Sequence, residues 1–198
     1  MKKDILKLGI ALALFAASAC VALALVYTVT GPTIAGLARE QLKASLKDIF
    51  PEADAFEDLN GLSASDPSVA ISGSWKATKG GQILGVAMKA SASSYGGDAV
   101  MLVGVADGHI AGARIMTLAD TPGLGANATN PSYFVDKTAK TTFPGQFAGK
   151  AVVDAFEVKN DVVAISASTI TSKALALIVK DAGRAGSAWL ATAANGGK

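Results

Sequence analysis

The N-terminal part of the chain is continuously apolar, whereas apolar residues are periodic further on. From Leu8 to Val29 the sequence contains 22 residues without a charge or a proline. About 20 such residues span a bilayer as a helix, whereas the apolar region of a cleaved signal peptide has only about 7–15. The stretch therefore predicts an uncleaved membrane anchor within residues 1–30.

One alternative to the anchor is a lipoprotein processed at Cys20. The sequence "ASAC" places small residues before this cysteine, as lipoprotein signals do, but Ala17 stands where leucine is usual. The apolar run also continues for nine residues beyond Cys20, which a mature lipoprotein would not need. We therefore favour the anchor.

Basic residues on one side of the apolar stretch predict its orientation. Lys2, Lys3 and Lys7 precede the stretch, and the first basic residue after it is Arg39. Positive charge stays on the cytoplasmic side of a membrane. We expect a single pass through a bacterial inner membrane, with the N-terminus inside and the remaining chain on the extracytoplasmic side.

Residues 31–60 predict a juxtamembrane helix followed by a linker. Gly31-Pro32 should end the membrane span. Apolar residues then recur at spacings of three to five over 33–50, which is typical of an amphipathic helix. Its apolar stripe would pack on its own domain or on a neighbouring subunit. The polar and acidic stretch 52–68 is typical of a loop.

Alternating apolar residues then predict two β-hairpins. In the first, the strand-like segments 69–77 and 82–90 flank a turn at Lys79-Gly80-Gly81. In the second, 99–106 and 110–119 flank a turn at Asp107-Gly108-His109. Strands in one block, without alternating helices, favour an α+β domain with an antiparallel or mixed sheet. We assign this domain to residues 61–185 and a C-terminal tail to 186–198.

Composition narrows the chemistry that the chain can perform. The net charge is only +2, and no cluster of basic residues interleaves with aromatic ones, which argues against nucleic acid as a partner. One histidine and one cysteine offer no plausible set of metal ligands. His109 falls at a hairpin tip and is interpreted as a solvated turn residue. No Gly-x-Ser-x-Gly, Walker A or Rossmann motif is present.

Five hydroxyl residues lie directly before a stretch with helical spacing. They are Ser166, Ser168, Thr169, Thr171 and Ser172. The helix is predicted to run from Ile170 to near Gly183. Hydroxyls and free backbone N–H groups at the start of a helix suit a phosphate, but a redundant N-cap would have the same sequence pattern.

Two glycine-rich loops are further candidates for a binding site. "TPGLG" at 121–125 leaves Leu124 projecting between Gly123 and Gly125, where it could lie against a flat ring. "SSYGGDAV" at 93–100 leads into the next predicted strand.

The order of these segments resembles the FMN-binding domain family. The relevant stretches are the anchor, "LKDIFPEA", "SYGGDAVMLVGVADGHIAGARI", "TPGLG", "FAGK" and "SASTITSKAL". The chain is most similar to G subunits of Rnf-type electron transport complexes, and next to C subunits of the sodium-pumping NADH:quinone reductase. The resemblance extends to about residue 185.

The resemblance implies FMN joined through its phosphate to Thr169, the threonine that ends the family's Ser-Gly-Ala-Thr motif. Here Ala167 replaces the glycine and Ser168 the alanine, and Val163 stands where an acidic residue is usual, with Asp161 two positions earlier. The other implied contacts are Ser166, Ser168 and Thr171 near the phosphate, and Thr121, Gly123, Leu124, Gly125, Tyr95 and Gly96 near the ring.

The implied function is a membrane-anchored electron carrier with covalent FMN, belonging to an ion-translocating ferredoxin:NAD oxidoreductase. A flavin transferase would attach the FMN, and integral membrane subunits and iron-sulfur or flavin subunits would be the partners. The alternatives from other classes are a membrane-anchored FMN-binding sensory or regulatory module and a surface lipoprotein without a cofactor.

Overall fold

The computed structural model describes residues 2–195, which separate into two compact units divided between Ala44 and Ser45. The first unit lies within helix α1, Lys2–Ile49, which continues through Pro32. The expected break at Gly31-Pro32 is therefore wrong. Proline removes only one bond of the helical ladder, the one to the carbonyl of Thr28. Apolar helices tolerate this loss where neighbouring polar groups remain paired.

Helix α1 has the properties of a membrane span along its apolar part. Among the described residues it is the only helix long and apolar enough, with a mean hydropathy of 2.5 in its most apolar window and none of that window buried. The hydroxyls of Thr28 and Thr30 donate to helical carbonyls at 2.8 and 2.9 Å, so these polar side chains are paired within the helix itself. A membrane location is consistent with these features.

The second unit contains an antiparallel sheet in which each strand pairs with the next along the chain. Its strands are β1 Ala55–Leu59, β2 Val69–Lys79, β3 Gln82–Ser94, β4 Gly97–Ala106 and β5 His109–Thr117. Both predicted hairpins are confirmed. Each turns through left-handed residues, Gly80-Gly81 in the first and Asp107-Gly108 in the second. His109 is exposed, as expected, and begins β5.

Strand β1 corrects the prediction that 52–68 is a loop. Residues Ala55–Leu59 pair with β2, although this strand carries Glu57 and Asp58. Glu57 lies opposite Lys76, and their charged groups are 2.9 Å apart. A cross-strand ion pair and an edge position allow a strand whose composition is typical of a loop.

Helix α2, Thr169–Asn195, packs on one face of the sheet. The predicted end near Gly183 is wrong, and residues 186–195 are part of the helix. A Cβ atom on Gly183 would lie 2.8 Å from Ile110 Cδ1, and one on Gly186 would lie 2.7 Å from Met88 Cε. The glycines therefore allow close packing on the sheet and do not end the helix.

The last turn of α1 packs on the opposite face of the same sheet. Ile49 and Phe50 lie against Gly104, and Phe50 also lies against Gly85 on the neighbouring strand β3. Side chains alternate across a strand, so these glycines face away from α2. Of the two surfaces left open for the amphipathic stripe, its own domain covers Leu46 and Ile49, which are buried. Ile34 and Leu37 are exposed.

The segment between β5 and α2 closes the edge of the sheet. It contains the short strands β6 Phe134–Asp136 and β7 Thr141–Thr142 and two 3₁₀ turns. The amide of Ile110 donates to the carbonyl of Lys150 at 2.8 Å, and the amide of Gly149 donates back to Ile110 at 2.8 Å. The result is the expected α+β domain, in which the start of α2 lies beside the loops that follow β3 and β5.

Candidate functional site

A cavity of about 520 Å³ lies at the N-terminus of α2. Its lining comes from the turn between β3 and β4, the loop after β5 and the start of α2, as follows: Tyr95, Asp120, Thr121, Leu124, Gly125, Ala167, Ser168, Thr169, Ile170 and Thr171. Cavities of about 300–1,000 Å³ are typical of small-molecule sites. Most of the residues proposed from the sequence therefore meet around a space of suitable size.

Three of the proposed residues lie outside this lining. Gly123 and Ser166 line an adjoining cavity of about 740 Å³, which shares Leu124 and Ala167 with the first. Gly96 has a structural role, because a Cβ atom there would lie 2.8 Å from the carbonyl carbon of Ala119. Only glycine can approach the neighbouring loop this closely.

Asp120 is the residue of this cavity that the sequence did not reveal. Its side chain is only 5% exposed. It accepts hydrogen bonds from Ser94 Oγ at 2.7 Å, from the Gly96 amide at 2.7 Å and from Thr171 Oγ1. The carboxylate thus connects all three segments of the cavity wall. A carboxylate at the end of a strand is usually a turn residue, so its burial could not be foreseen.

The surroundings of Asp120 keep it ionised. Burial alone would raise the pKa of this carboxyl group, but the hydrogen bonds from Thr171, Ser94 and Gly96 outweigh it and hold the pKa below its usual value. A Cβ atom on Gly125 would lie 2.6 Å from Asp120 Oδ2 and would also meet Thr171 Oγ1. Gly125 therefore gives the carboxylate room to reach α2.

The structure distinguishes the five hydroxyls before α2 by their contacts. Ser172 is fully buried, donates to the carbonyl of Ser168 at 2.9 Å and accepts from the amide of Ile165 at 3.0 Å. Thr171 is also buried and donates to Asp120. Ser166 is exposed beside the adjoining cavity. These three hydroxyls are either used by the fold or lie outside the first cavity.

Ser168 and Thr169 both line the cavity, and neither of their hydroxyls has a hydrogen-bond partner among the described residues. Thr169 is exposed, and its hydroxyl has no hydrogen-bond partner within residues 2–195. Ser168 is 7% exposed, and its Oγ is the one buried side-chain polar atom without a partner in the part of the chain that the structure describes. Leaving a buried hydroxyl unpaired costs about 1–3 kcal/mol. A helix start also leaves amides without intrahelical acceptors, so the first turn of α2 beside the cavity suits an anion.

Ala167, directly before these residues, has a strained backbone. Its φ is +57°, in the left-handed region that glycine adopts readily. An alanine there costs roughly 1 kcal/mol. This chain therefore keeps with an alanine a conformation that glycine would adopt without strain.

Asp161 takes no part in the cavity. Its carboxylate accepts from the amides of Glu157 and Phe156 at 2.6 and 3.0 Å and closes a turn. Burial would raise its pKa, but these amides and the nearby Lys150 hold the pKa below its usual value. Asp161 therefore has a structural role, and Val163 is exposed.

Sequence comparison identifies the class of protein. Residues 94–184 match the FMN-binding domain family, and residues 1–49 match the RnfG N-terminal region. The chain therefore carries an FMN-binding domain behind an N-terminal segment typical of RnfG.

Curated relatives then identify the particular family. The G subunit of an ion-translocating oxidoreductase complex from Methanosarcina acetivorans is 32% identical over 87% of this chain and 89% of its own length. The G subunit of a proton-translocating ferredoxin:NAD(+) oxidoreductase complex from Clostridium ljungdahlii is 32% identical over 81% and 80%. That of a Na(+)-translocating complex from Acetobacterium woodii is 29% identical over 87% of each chain. The chain belongs to the family of G subunits of ion-translocating oxidoreductase (Rnf) complexes.

The residues around the cavity fit FMN. The amides at the start of α2 and the exposed Thr169 beside them suit its phosphate. Leu124 and Tyr95, which are 42% and 70% exposed, offer apolar surface to a flat ring. The cavity thus offers polar groups for the phosphate of FMN and apolar surface for its ring.

Replacing Asp120 with asparagine tests the central role of this carboxylate. The pKa of Asp120 is lower in the folded protein than in the unfolded chain, where an aspartate has a pKa near 3.9. The ionised carboxylate therefore stabilises the fold above that pH, and this stabilisation is lost as the pH falls through the pKa of the folded protein. We expect Asp120→Asn to lower the free energy of unfolding by about 1–3 kcal/mol at pH 7. The difference from the parent should shrink below pH 4 in urea unfolding measured across pH.

The matched control is Asp98→Asn, an exposed carboxylate near the same turn. It should have the same free energy of unfolding as the parent at pH 7. If Asp120→Asn also follows the parent at pH 7, Asp120 does not hold the three segments together.

Proposed function

We propose that this protein is a membrane-anchored electron-carrier subunit of an ion-translocating ferredoxin:NAD oxidoreductase complex, with FMN attached as a phosphoester to Thr169. The observation that carries the attachment site is the difference among the five hydroxyls. Only Thr169 is exposed, lines the cavity beside α2 and lacks a hydrogen-bond partner among residues 2–195. A flavin transferase could reach this hydroxyl without unfolding the domain.

In this proposal FMN supplies the electron transfer, and the chain supplies binding and placement. Thr169 holds the phosphate at the start of α2, where the helix dipole favours negative charge. Leu124, Thr121 and Tyr95 line the part of the cavity available to the ring. The carboxylate of Asp120 is occupied by three donors and serves to hold the cavity walls. No side chain is required as a general base.

Covalent attachment suits a cofactor site that is open to solvent. The side chains at the rim, Tyr95 and Ile170, are 70% and 58% exposed. A cofactor held there only by noncovalent contacts would be diluted into the extracytoplasmic space after each dissociation. A phosphoester removes that loss and leaves the ring accessible to electron-transfer partners.

The names of the relatives support a division of labour within the complex. Relatives of 32% and 29% identity belong to complexes named for proton and for Na⁺ translocation. Because G subunits occur in both kinds of complex, their role is better explained by electron transfer than by selection of the ion. We propose that integral membrane subunits and iron-sulfur or flavin subunits are the partners of this chain.

We also propose that α1 anchors the mature protein with its N-terminus inside and the FMN-binding domain outside. Three lysines precede the apolar stretch, and the helix continues well beyond Cys20. Protease added to intact spheroplasts should digest the FMN-binding domain and spare an N-terminal tag. Protection of the domain until lysis would contradict this orientation, and a mature N-terminus at Cys20 would contradict the anchor.

Substitution of Thr169 tests the attachment site. Thr169→Ala should abolish covalent flavin, because it removes the oxygen that bonds to phosphorus. Because the side chain is exposed and unpaired, the fold should lose at most about 1 kcal/mol. The measurement is in-gel flavin fluorescence with the intact mass of the purified chain.

The controls are Ser166→Ala and Ser168→Ala, which should both retain covalent flavin. Ser168→Ala also restores the alanine of the family motif. Fluorescence that persists in Thr169→Ala and disappears in either control would assign the linkage to another hydroxyl.

Substitution of Leu124 tests the placement of the ring. Leu124→Asp puts a carboxylate against the apolar surface proposed for the ring, so the flavin spectrum and reduction potential should change. The covalent bond should remain, because the change lies away from Thr169 on another segment. Val153→Asp is the matched control, since Val153 is 80% exposed and lines neither cavity. Equal spectra and potentials in both variants would refute this placement.

A further inference from the structure

Asp120 is the only described residue lining the cavity at the start of α2 that is charged at neutral pH. Its carboxylate accepts hydrogen bonds from Ser94, Gly96 and Thr171, which are all neutral donors. No lysine, arginine or histidine among residues 2–195 forms an ion pair with it. The wall of the cavity therefore contains a negative charge that hydrogen bonds stabilise but no cation neutralises.

The carboxylate lies beside the residues proposed to contact the flavin ring. Its Oδ1 accepts from the amide of Gly96 at 2.7 Å, and Gly96 directly follows Tyr95. A Cβ atom on Gly125, which directly follows Leu124, would lie 2.6 Å from Asp120 Oδ2. Tyr95 and Leu124 both line the cavity. A ring held by these two side chains would thus be close to the charge of Asp120.

A negative charge in the wall opposes the reduction of a ring bound in the cavity. Two-electron reduction with uptake of one proton leaves one additional negative charge on the ring, and the electrons come from the donor of the complex. At an effective dielectric constant near 20, two unit charges about 10 Å apart change an equilibrium constant about tenfold. Asp120 is only 5% exposed, so dissolved salt screens its charge weakly.

We propose that the carboxylate of Asp120 lowers the reduction potential of the flavin bound in this cavity. This inference rests on the proposed FMN function and adds an electrostatic role to the structural role of Asp120. Asp120 exchanges neither electrons nor protons with the ring and acts only through its charge. A lower potential makes the bound flavin a stronger electron donor to the next carrier.

The test is a redox titration of the full-length, flavin-loaded chain in detergent at pH 7. Dithionite is the reductant, reference dyes report the potential, and flavin absorbance reports the reduced fraction. Asp120→Asn removes the charge and nearly preserves the shape of the side chain. We expect the equilibrium constant for reduction to rise about tenfold, which corresponds to about 30 mV for a two-electron couple.

Two control variants separate the charge of Asp120 from the structure of the wall. Ser94→Ala removes one donor and loosens the same wall, but leaves the carboxylate ionised and less well stabilised. Its flavin potential should therefore fall below that of the parent. Asp98→Asn removes an exposed carboxylate near the same turn, where water and salt screen the charge, and should keep the parent potential.

An unchanged or lower potential in Asp120→Asn would overturn the inference, as would equal rises in Asp120→Asn and Ser94→Ala. If Asp120→Asn carries no flavin, Ser94→Ala decides: a lower potential supports the inference, and an equal or higher one overturns it. A parent chain that neither carries nor binds flavin refutes the proposed function and this inference together. A loaded parent whose variants keep its potential refutes the inference alone.

Discussion

The cavity depends on one buried carboxylate. Asp120 accepts from Ser94 and Gly96, about 25 residues earlier, and from Thr171, 51 residues later. Each donor segment belongs to a wall of the cavity. A buried carboxylate is stable only when its oxygens are hydrogen-bonded, so folding must bring these donors to it. The polar requirement of a single side chain therefore positions the three segments.

Local patterns predicted the parts of the fold that depend on local interactions. Both hairpins were foreseen because alternation and turn glycines specify them without reference to distant residues. The true end of α2 could not be foreseen, because it depends on distant contacts. Positions 183 and 186 are glycine since a side chain there would collide with Ile110 and Met88 on the sheet. Strand β1 was missed for a similar reason, since the charge of Glu57 is paired only across the strands.

The hydroxyl-rich stretch shows how far a motif can be interpreted without a structure. The sequence left two explanations open, a redundant helix cap and a phosphate site. The contacts of these hydroxyls differ: Ser172 closes the turn and Thr171 holds Asp120, whereas the hydroxyls of Ser168 and Thr169 have no partner among the described residues. The fold therefore accounts for Thr171 and Ser172, and composition alone could not separate these two hydroxyls from the others.

Two unfavourable features lie next to each other at the start of α2. Ala167 holds a left-handed backbone, and Ser168 keeps a buried hydroxyl unpaired. Neither strengthens the fold, and together they cost a few kcal/mol by ordinary magnitudes. Strain and unsatisfied polar groups concentrate where a protein binds ligands, since the rest of the structure can hold them in place. Here the buried contacts of Thr171 and Ser172 fix the turn, and this holds the strained Ala167 and the unpaired Ser168 in place.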